Sequence, residues 1–145
     1  GDSRILQIHE VLPHSINTAL MKCCDCYVSL HRSEGFGLTL AEAMLMGKPV
    51  ITTGYSGNMD FTTSATALLV DYELVPVQPG DYPFSHGEMW ADPNVQQACD
   101  YMLDLVEDST FAQSLAQKGE ELIRTSFSTT TMGDRYKKRL SNLLR

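Results

Sequence analysis

With 145 residues, 43% of them hydrophobic, the chain has the apolar content for one domain-sized core. Its formal net charge of −7 argues against a general nucleic-acid binder, which neutralises phosphates with basic surface. No apolar run reaches a membrane span: the longest, around "TALLVDYELVPV", is broken by Asp71, Glu73 and Pro76.

The chain does not begin with Met, shows no signal peptide and enters a strand-like run almost at once, so it is expected to be a segment of a longer protein. "RILQIHEVL" (4–12) has a strand pattern with Ile5, Ile8 and Val11 among its apolar positions, closed by Pro13. "SINTALMKCC" (15–24) reads as a helix with Ser15 as N-cap and Ile16, Ala19, Leu20 and Cys23 on one face. "CYVSLH" (26–31) is a second strand, "LTLAEAMLMG" (38–47) a helix that stops at Gly47, and "PVITT" (49–53) a third strand. "TALLVDY" (66–72) supplies one more. Strands alternating with helices across short links predict an α/β fold with a parallel sheet, here over 1–72.

Between 73 and 91 the texture changes. "ELVPVQPGDYPFSHGEMWA" carries three of the six prolines and no sustained period, which predicts an ordered loop laid over the domain and anchored by Tyr82 and Trp90, with sugar stacking the second reading of these two. A helical tail over 92–145 follows. Asp92 is its expected N-cap with Pro93 at the first helical position, and Val95, Ala98, Cys99, Met102, Leu105 and Val106 its buried stripe. A second helix begins at Ser109, with Gly119 a weak point, and a last one packs through Met132, Tyr136, Leu140 and Leu143.

Cys23, Cys24 and Cys26 lie close together, but no second cysteine pair or Cys/His module follows at zinc-site spacing. Buried structural thiols are the expectation, since free cysteine is among the most buried residue types. Unpaired clustering also points to a reducing, cytoplasmic compartment.

The stretch that carries chemistry is "SLHRSEGFGLTLAEAM" (29–44). In an open α/β sheet, ligands bind beyond the carboxyl ends of the strands, which is where 32–38 fall. The helix N-terminus offers unpaired N–H groups to an anion, and Gly35 and Gly37 let the backbone approach it. Glu34 and Glu42 would repel that anion, but ionised carboxylates accept hydrogen bonds from sugar hydroxyls. Phosphate flanked by hydroxyl-rich rings, the layout of a nucleoside diphosphate sugar, satisfies both features. Taken singly, a Gly-x-Gly turn is more often plain turn chemistry and a helical glutamate a solvated face.

"SLHRSEGFGLTLAEAMLMGKPVITTGYSGNMDF" resembles the Glu-x7-Glu region of retaining glycosyltransferases of family 4, with "EGFG", "EAM", "GKPV" and "GYSGN" as matching features. The resemblance runs through most of the chain, the tail matching least specifically. It implies a Rossmann-like sheet forming the C-terminal half of the two-domain glycosyltransferase-B architecture. It assigns Glu42 to the donor ribose, Glu34 to the donor sugar, the backbone of Gly35, Phe36 and Gly37 to that sugar, and Leu38 and Thr39 to the pyrophosphate. His9, Glu10 and Val11 fall where the family reads the base, and Ser56, Gly57 and Asn58 follow the next strand toward the same cleft. The implied reaction moves a sugar from a nucleoside diphosphate sugar to a hydroxyl of a glycan or lipid-linked acceptor, with retention, in a setting such as surface polysaccharide synthesis. Glu34 is the catalytic candidate, and no metal or other cofactor is expected.

The family's Arg/Lys pair for the pyrophosphate lies upstream of the first strand here, in company with an N-terminal Rossmann-like domain. Arg32 and Lys48 match neither member of the pair. The chain is therefore expected to be a donor-binding part with little or no activity alone. His14, His31 and His86 read as turn or packing residues, with His31 the one worth testing. "RYKKR" (135–139) reads first as a solvated helix face and second as a peripheral contact for membrane phosphates. Two other readings stay open: a non-catalytic nucleotide-sugar-binding or regulatory domain, and a nucleotide-sugar epimerase or phosphorylase of related fold.

Overall fold

Three short strands pair in parallel in the order β1-β2-β3, with β1 at Tyr27–Ser29, β2 at Val50–Thr53 and β3 at Leu68–Val70. The computed structural model describes residues 2–144, so residues 1 and 145, at the ends of the expected domain and last helix, lie outside the described residues. Val28, Ile51 and Leu68 stand in one row across the sheet. Central β2 is buried at every position, as a strand covered on both faces must be. Its alternation feeds two cores: Val50 joins Leu40, Met44 and Phe61, whereas Ile51 joins Val70, Ala98, Leu105 and Leu115.

The helices are α1 (His14–Cys23), α2 (Leu38–Leu45), α3 (Val95–Glu107), α4 (Ser109–Ser126) and α5 (Thr129–Leu143). Each tail helix starts at a side-chain cap: Asn94 accepts from Gln97 N–H, Asp108 from Phe111 N–H and Ser128 from Thr131 N–H. Gly119 is not the weak point its sequence position suggests. It is buried where α4 meets α2, and a Cβ there would stand 3.0 Å from Met44 Cε and 3.2 Å from the Thr66 carbonyl.

Several expectations are corrected. Residues 4–12 form no strand, and Ile5, Leu6, Ile8 and Val11 are exposed. Alternation supplies a face, but a strand also needs a neighbour to take its N–H and C=O groups, and among the described residues this segment has none. α1 begins after Pro13 with no side-chain cap and buries Met21 rather than Ile16 or Leu20. Cys23, Cys24 and Cys99 are exposed; only Cys26 is drawn inward, and burial pushes its thiol up to about 11.

The span 73–91 is not an irregular loop either. β4 (Tyr72–Pro76) and β5 (Met89–Pro93) pair antiparallel as a hairpin, with Trp90 opposite Val75. Pro76 and Pro93 stand at the strand ends of a two-stranded sheet, where a missing N–H costs little. Asp92 and Pro93 therefore belong to β5, and Asn94 takes the cap. α3 buries Ala98 and Leu105 but leaves Val95, Cys99, Met102 and Val106 exposed, and no residue of α5 is fully buried.

Candidate functional site

β1 runs out at Ser29, and eight residues later α2 starts from Gly37, which sits in the left-handed region at φ 90°. A Cβ there would lie 2.9 Å from Leu40 Cδ1, so both backbone and packing call for glycine. No side chain caps α2, and its first turn holds no acidic residue. The N–H groups that open the helix, those of the exposed Leu38 and Thr39 included, are thus left to an external acceptor. Phe36 pins the turn to the core, its ring 5.0 Å from that of Phe61 and 6.2 Å from that of Phe127.

The turn is braced from behind by the loop after β2. Ser56 Oγ donates to the Glu34 carbonyl at 2.8 Å and accepts from the Glu34 N–H at 3.3 Å, and Gly57 N–H donates to the same carbonyl at 3.0 Å. The backbones approach so closely that a Cβ on Gly57 would fall 2.0 Å from the Gly35 carbonyl oxygen. Gly35 itself has nothing within 4 Å of its own would-be Cβ, so its outer face is open. The Glu34 carboxylate accepts from the Gly35 N–H at 3.0 Å, which fixes it beside that open face.

His31 and Asn58 tie the two loops to the strand ends. His31 Nε2 lies 3.0 Å from the Tyr55 carbonyl and 3.1 Å from Asn58 Oδ1, and both neighbours are acceptors, which assigns the ring proton to Nε2. Nδ1 is then free to accept from Ser29 Oγ at 3.3 Å. Asn58 is fully buried and donates to the Thr53 carbonyl and to Thr62 Oγ1. His31 thus positions the turn, and Ser56 and Asn58 do more bracing than sequence reasoning gave them.

The two glutamates open on different clefts. Glu34 and Gly35 line a cleft of 460 Å³ whose far wall is the β4–β5 hairpin. Glu42, with Phe36 and Leu38, lines a second cleft of 450 Å³ closed by Phe127 and Arg135. The turn at 36–38 is the ridge between them. Arg135 packs over the Phe127 ring at 5.9 Å, which brings a cation into the Glu42 cleft. Ninety-odd residues separate it from the motif, and only its membership of "RYKKR" marked it.

The local cations are engaged elsewhere. Lys48 Nζ donates to the Lys22 carbonyl at 2.7 Å, and Arg32 pairs with Asp92 at 2.7 Å. His9, Glu10 and Val11 line neither cleft. Among the described residues, no group of three or more His, Cys, Asp or Glu is placed to hold a metal ion, and no helix is long and apolar enough to cross a membrane.

Comparison with known proteins returns one consistent kind of relative. The family model "Glycosyl transferases group 1" matches residues 6–122. A trehalose synthase of Pyrococcus horikoshii is 25% identical over 125 residues, which cover 86% of this chain and 25% of that protein. Among solved structures, the C-terminal domain of a glycosyl transferase group 1 family protein, LpcC of Francisella tularensis, superposes with a TM-score of 0.67 at 23% identity, covering 88% of this chain and 56% of that one. Anabaena Alr3699/HepE, solved in complex with UDP and glucose, gives 0.64 at 22% identity over 85% of this chain and 29% of its own. At these identities the structural likeness is one of fold, and it agrees with the expected parallel sheet flanked by helices. The chain spans a quarter of the length of the trehalose synthase and about half that of the LpcC domain.

Proposed function

This chain belongs to the group 1 glycosyl transferases, and from that premise we propose that it is the donor-binding part of a retaining, family-4-type transferase. The substrate is a nucleoside diphosphate sugar that straddles the turn at 35–38. Its pyrophosphate accepts from the N–H groups at the start of α2, its ribose lies in the cleft of Glu42, and its sugar lies over Gly35 beside Glu34. The observation that carries this reading is the uncapped, acid-free N-terminus of α2 standing on a ridge between two clefts, with Glu34 in one and Glu42 in the other. The UDP and glucose held by the Anabaena relative support the same class of ligand.

In the transfer, the bond between the anomeric carbon and the diphosphate oxygen breaks, and the nucleoside diphosphate leaves with the electron pair. An acceptor hydroxyl forms the new bond on the same face and yields its proton to the leaving diphosphate. Glu34 orients the sugar hydroxyls at that face. Surface polysaccharide assembly is the setting we favour, and the acceptor side belongs to a further domain of the full enzyme.

The test is calorimetric titration of the chain with UDP, GDP and ADP, beside Glu42→Gln. Losing hydrogen bonds from ribose to a charged acceptor costs about 1.5–3 kcal/mol, so the best-bound nucleotide should weaken roughly ten- to a hundredfold. Unchanged affinity in Glu42→Gln would remove the ribose from that cleft.

A further inference from the structure

The donor-binding reading uses the Glu42 cleft and the turn but leaves the β4–β5 hairpin without a task, although the hairpin forms the far wall of the Glu34 cleft. One residue ties it to the loop after β1. Arg32 accepts from Ala91 N–H through its carbonyl at 2.9 Å, pairs with Asp92 at 2.7 Å, and lies 4.9 Å from the centre of the Trp90 ring. Arg32, the residue after His31, therefore holds β5 against the loop that follows β1.

We infer that the cleft between the Glu34–Gly35 turn and this hairpin is a saccharide subsite, with Tyr82, Phe84 and Trp90 as the residues that select the ring. The inference rests on the donor-binding reading and assigns to that same site the group that recognises its sugar. The chemistry of the walls decides the ligand class. Glu34 and Glu88 are acceptors for hydroxyl donors, while no Lys or Arg lines the cleft among the described residues, so an anion is disfavoured and a neutral polyol suits it. Its volume of 460 Å³ lies within the range of small-molecule sites.

Tyr82 and Phe84 stand clear of the core. Tyr82 is 66% exposed and Phe84 fully exposed, so neither ring serves the core. Phe84 also holds a left-handed φ of 57°, a conformation a bulky residue adopts at a cost, and such strain is retained where a side chain's direction is used. The indole N–H of Trp90 is buried without an acceptor among the described residues, an omission that folded interiors seldom leave unfilled. Aromatic faces for the C–H side of a pyranose and carboxylates for its hydroxyls make a sugar-binding wall.

The ring that enters is either the donor hexose or the terminal unit of an acceptor glycan, and Trp90, the single tryptophan, reports on both. The experiment follows its emission while the chain is titrated with UDP, GDP and ADP, with their hexose derivatives, and with neutral oligosaccharides in the presence of nucleotide. Emission that differs between a nucleotide sugar and its parent nucleotide is the expected result if the donor hexose occupies the cleft. Emission that moves only with oligosaccharide is expected if the acceptor does. In either case Tyr82→Ala and Phe84→Ala, at exposed positions, should weaken the saccharide-dependent part about three- to tenfold while nucleotide affinity stays within about twofold. No saccharide-dependent change across the whole panel, or one untouched by both substitutions, overturns the inference while nucleotide binding stands. Failure of every nucleotide to bind overturns the donor-binding reading and the inference with it.

Discussion

Gly35 and Gly57 face each other across the turn, yet they answer to different demands. Gly57 has the Gly35 carbonyl oxygen 2.0 Å from where a methyl would go, so the two loops touch only because it has no side chain. Gly35 has an empty surrounding, so its lack of a side chain serves whatever approaches from outside. Gly57→Ala should therefore force the loops apart and cost about 1–3 kcal/mol of stability, read as a lowered melting temperature, together with nucleotide binding. Gly35→Ala should leave the melting temperature within about 1 °C to 3 °C of the parent and still weaken nucleotide-sugar binding. Equal destabilisation by the two substitutions would contradict this division. The pair also marks what sequence reveals: both glycines are visible in "EGFG" and "GYSGN", but which one packs and which one admits a ligand depends on a contact 22 residues apart.

At the scale of elements, β2 and its neighbours were legible because burial on both faces writes a short apolar run between a helix stop and a turn. The hairpin was not legible, because prolines at strand ends look like loop residues until the pairing of Tyr72–Pro76 with Met89–Pro93 is known. The hairpin's attachment is tested by Arg32→Ala. The Arg32–Asp92 pair is half exposed and contributes little to global stability, about 1 kcal/mol or less. Amide exchange in 77–90 should nonetheless accelerate, since the same substitution removes the contact with Trp90. Unchanged exchange there would show that the backbone bond from Ala91 holds the hairpin by itself.

The residue just before β1 carries a pH-sensitive group. Burial raises the Cys26 thiol from its ordinary 9.0 to about 11, so the folded chain keeps a proton that the unfolded chain releases. Stability from this source is complete below pH 9 and declines as pH rises from 9 to 11. Cys26→Ala should flatten that decline. In the native chain an alkylating reagent should modify the exposed Cys23, Cys24 and Cys99 well before Cys26, because the thiolate is the reactive form. Cys26 reacting first would refute its burial.

At the scale of the whole molecule, the sequence carried the parallel sheet, the strand-to-helix turn and the residues on it, all of which depend on local pattern. It misplaced what depends on neighbours. Residues 4–12 have strand alternation and no strand partner among the described residues, α3 has an amphipathic stripe of which only Ala98 and Leu105 are buried, and Arg135 reaches the Glu42 cleft from the last helix. The chain spans a quarter of the trehalose synthase it matches, and what the geometry supports for it is a donor site with the two carboxylates in separate clefts.

That separation is tested most directly by a crystal structure of the chain with its best-bound nucleoside diphosphate sugar. The account expects phosphate oxygens within hydrogen-bond distance of the N–H groups of Leu38 and Thr39, the ribose hydroxyls on Glu42, and the sugar ring on the Glu34 side of the ridge. A ligand lying wholly in one cleft, or with its phosphates away from the start of α2, would contradict it.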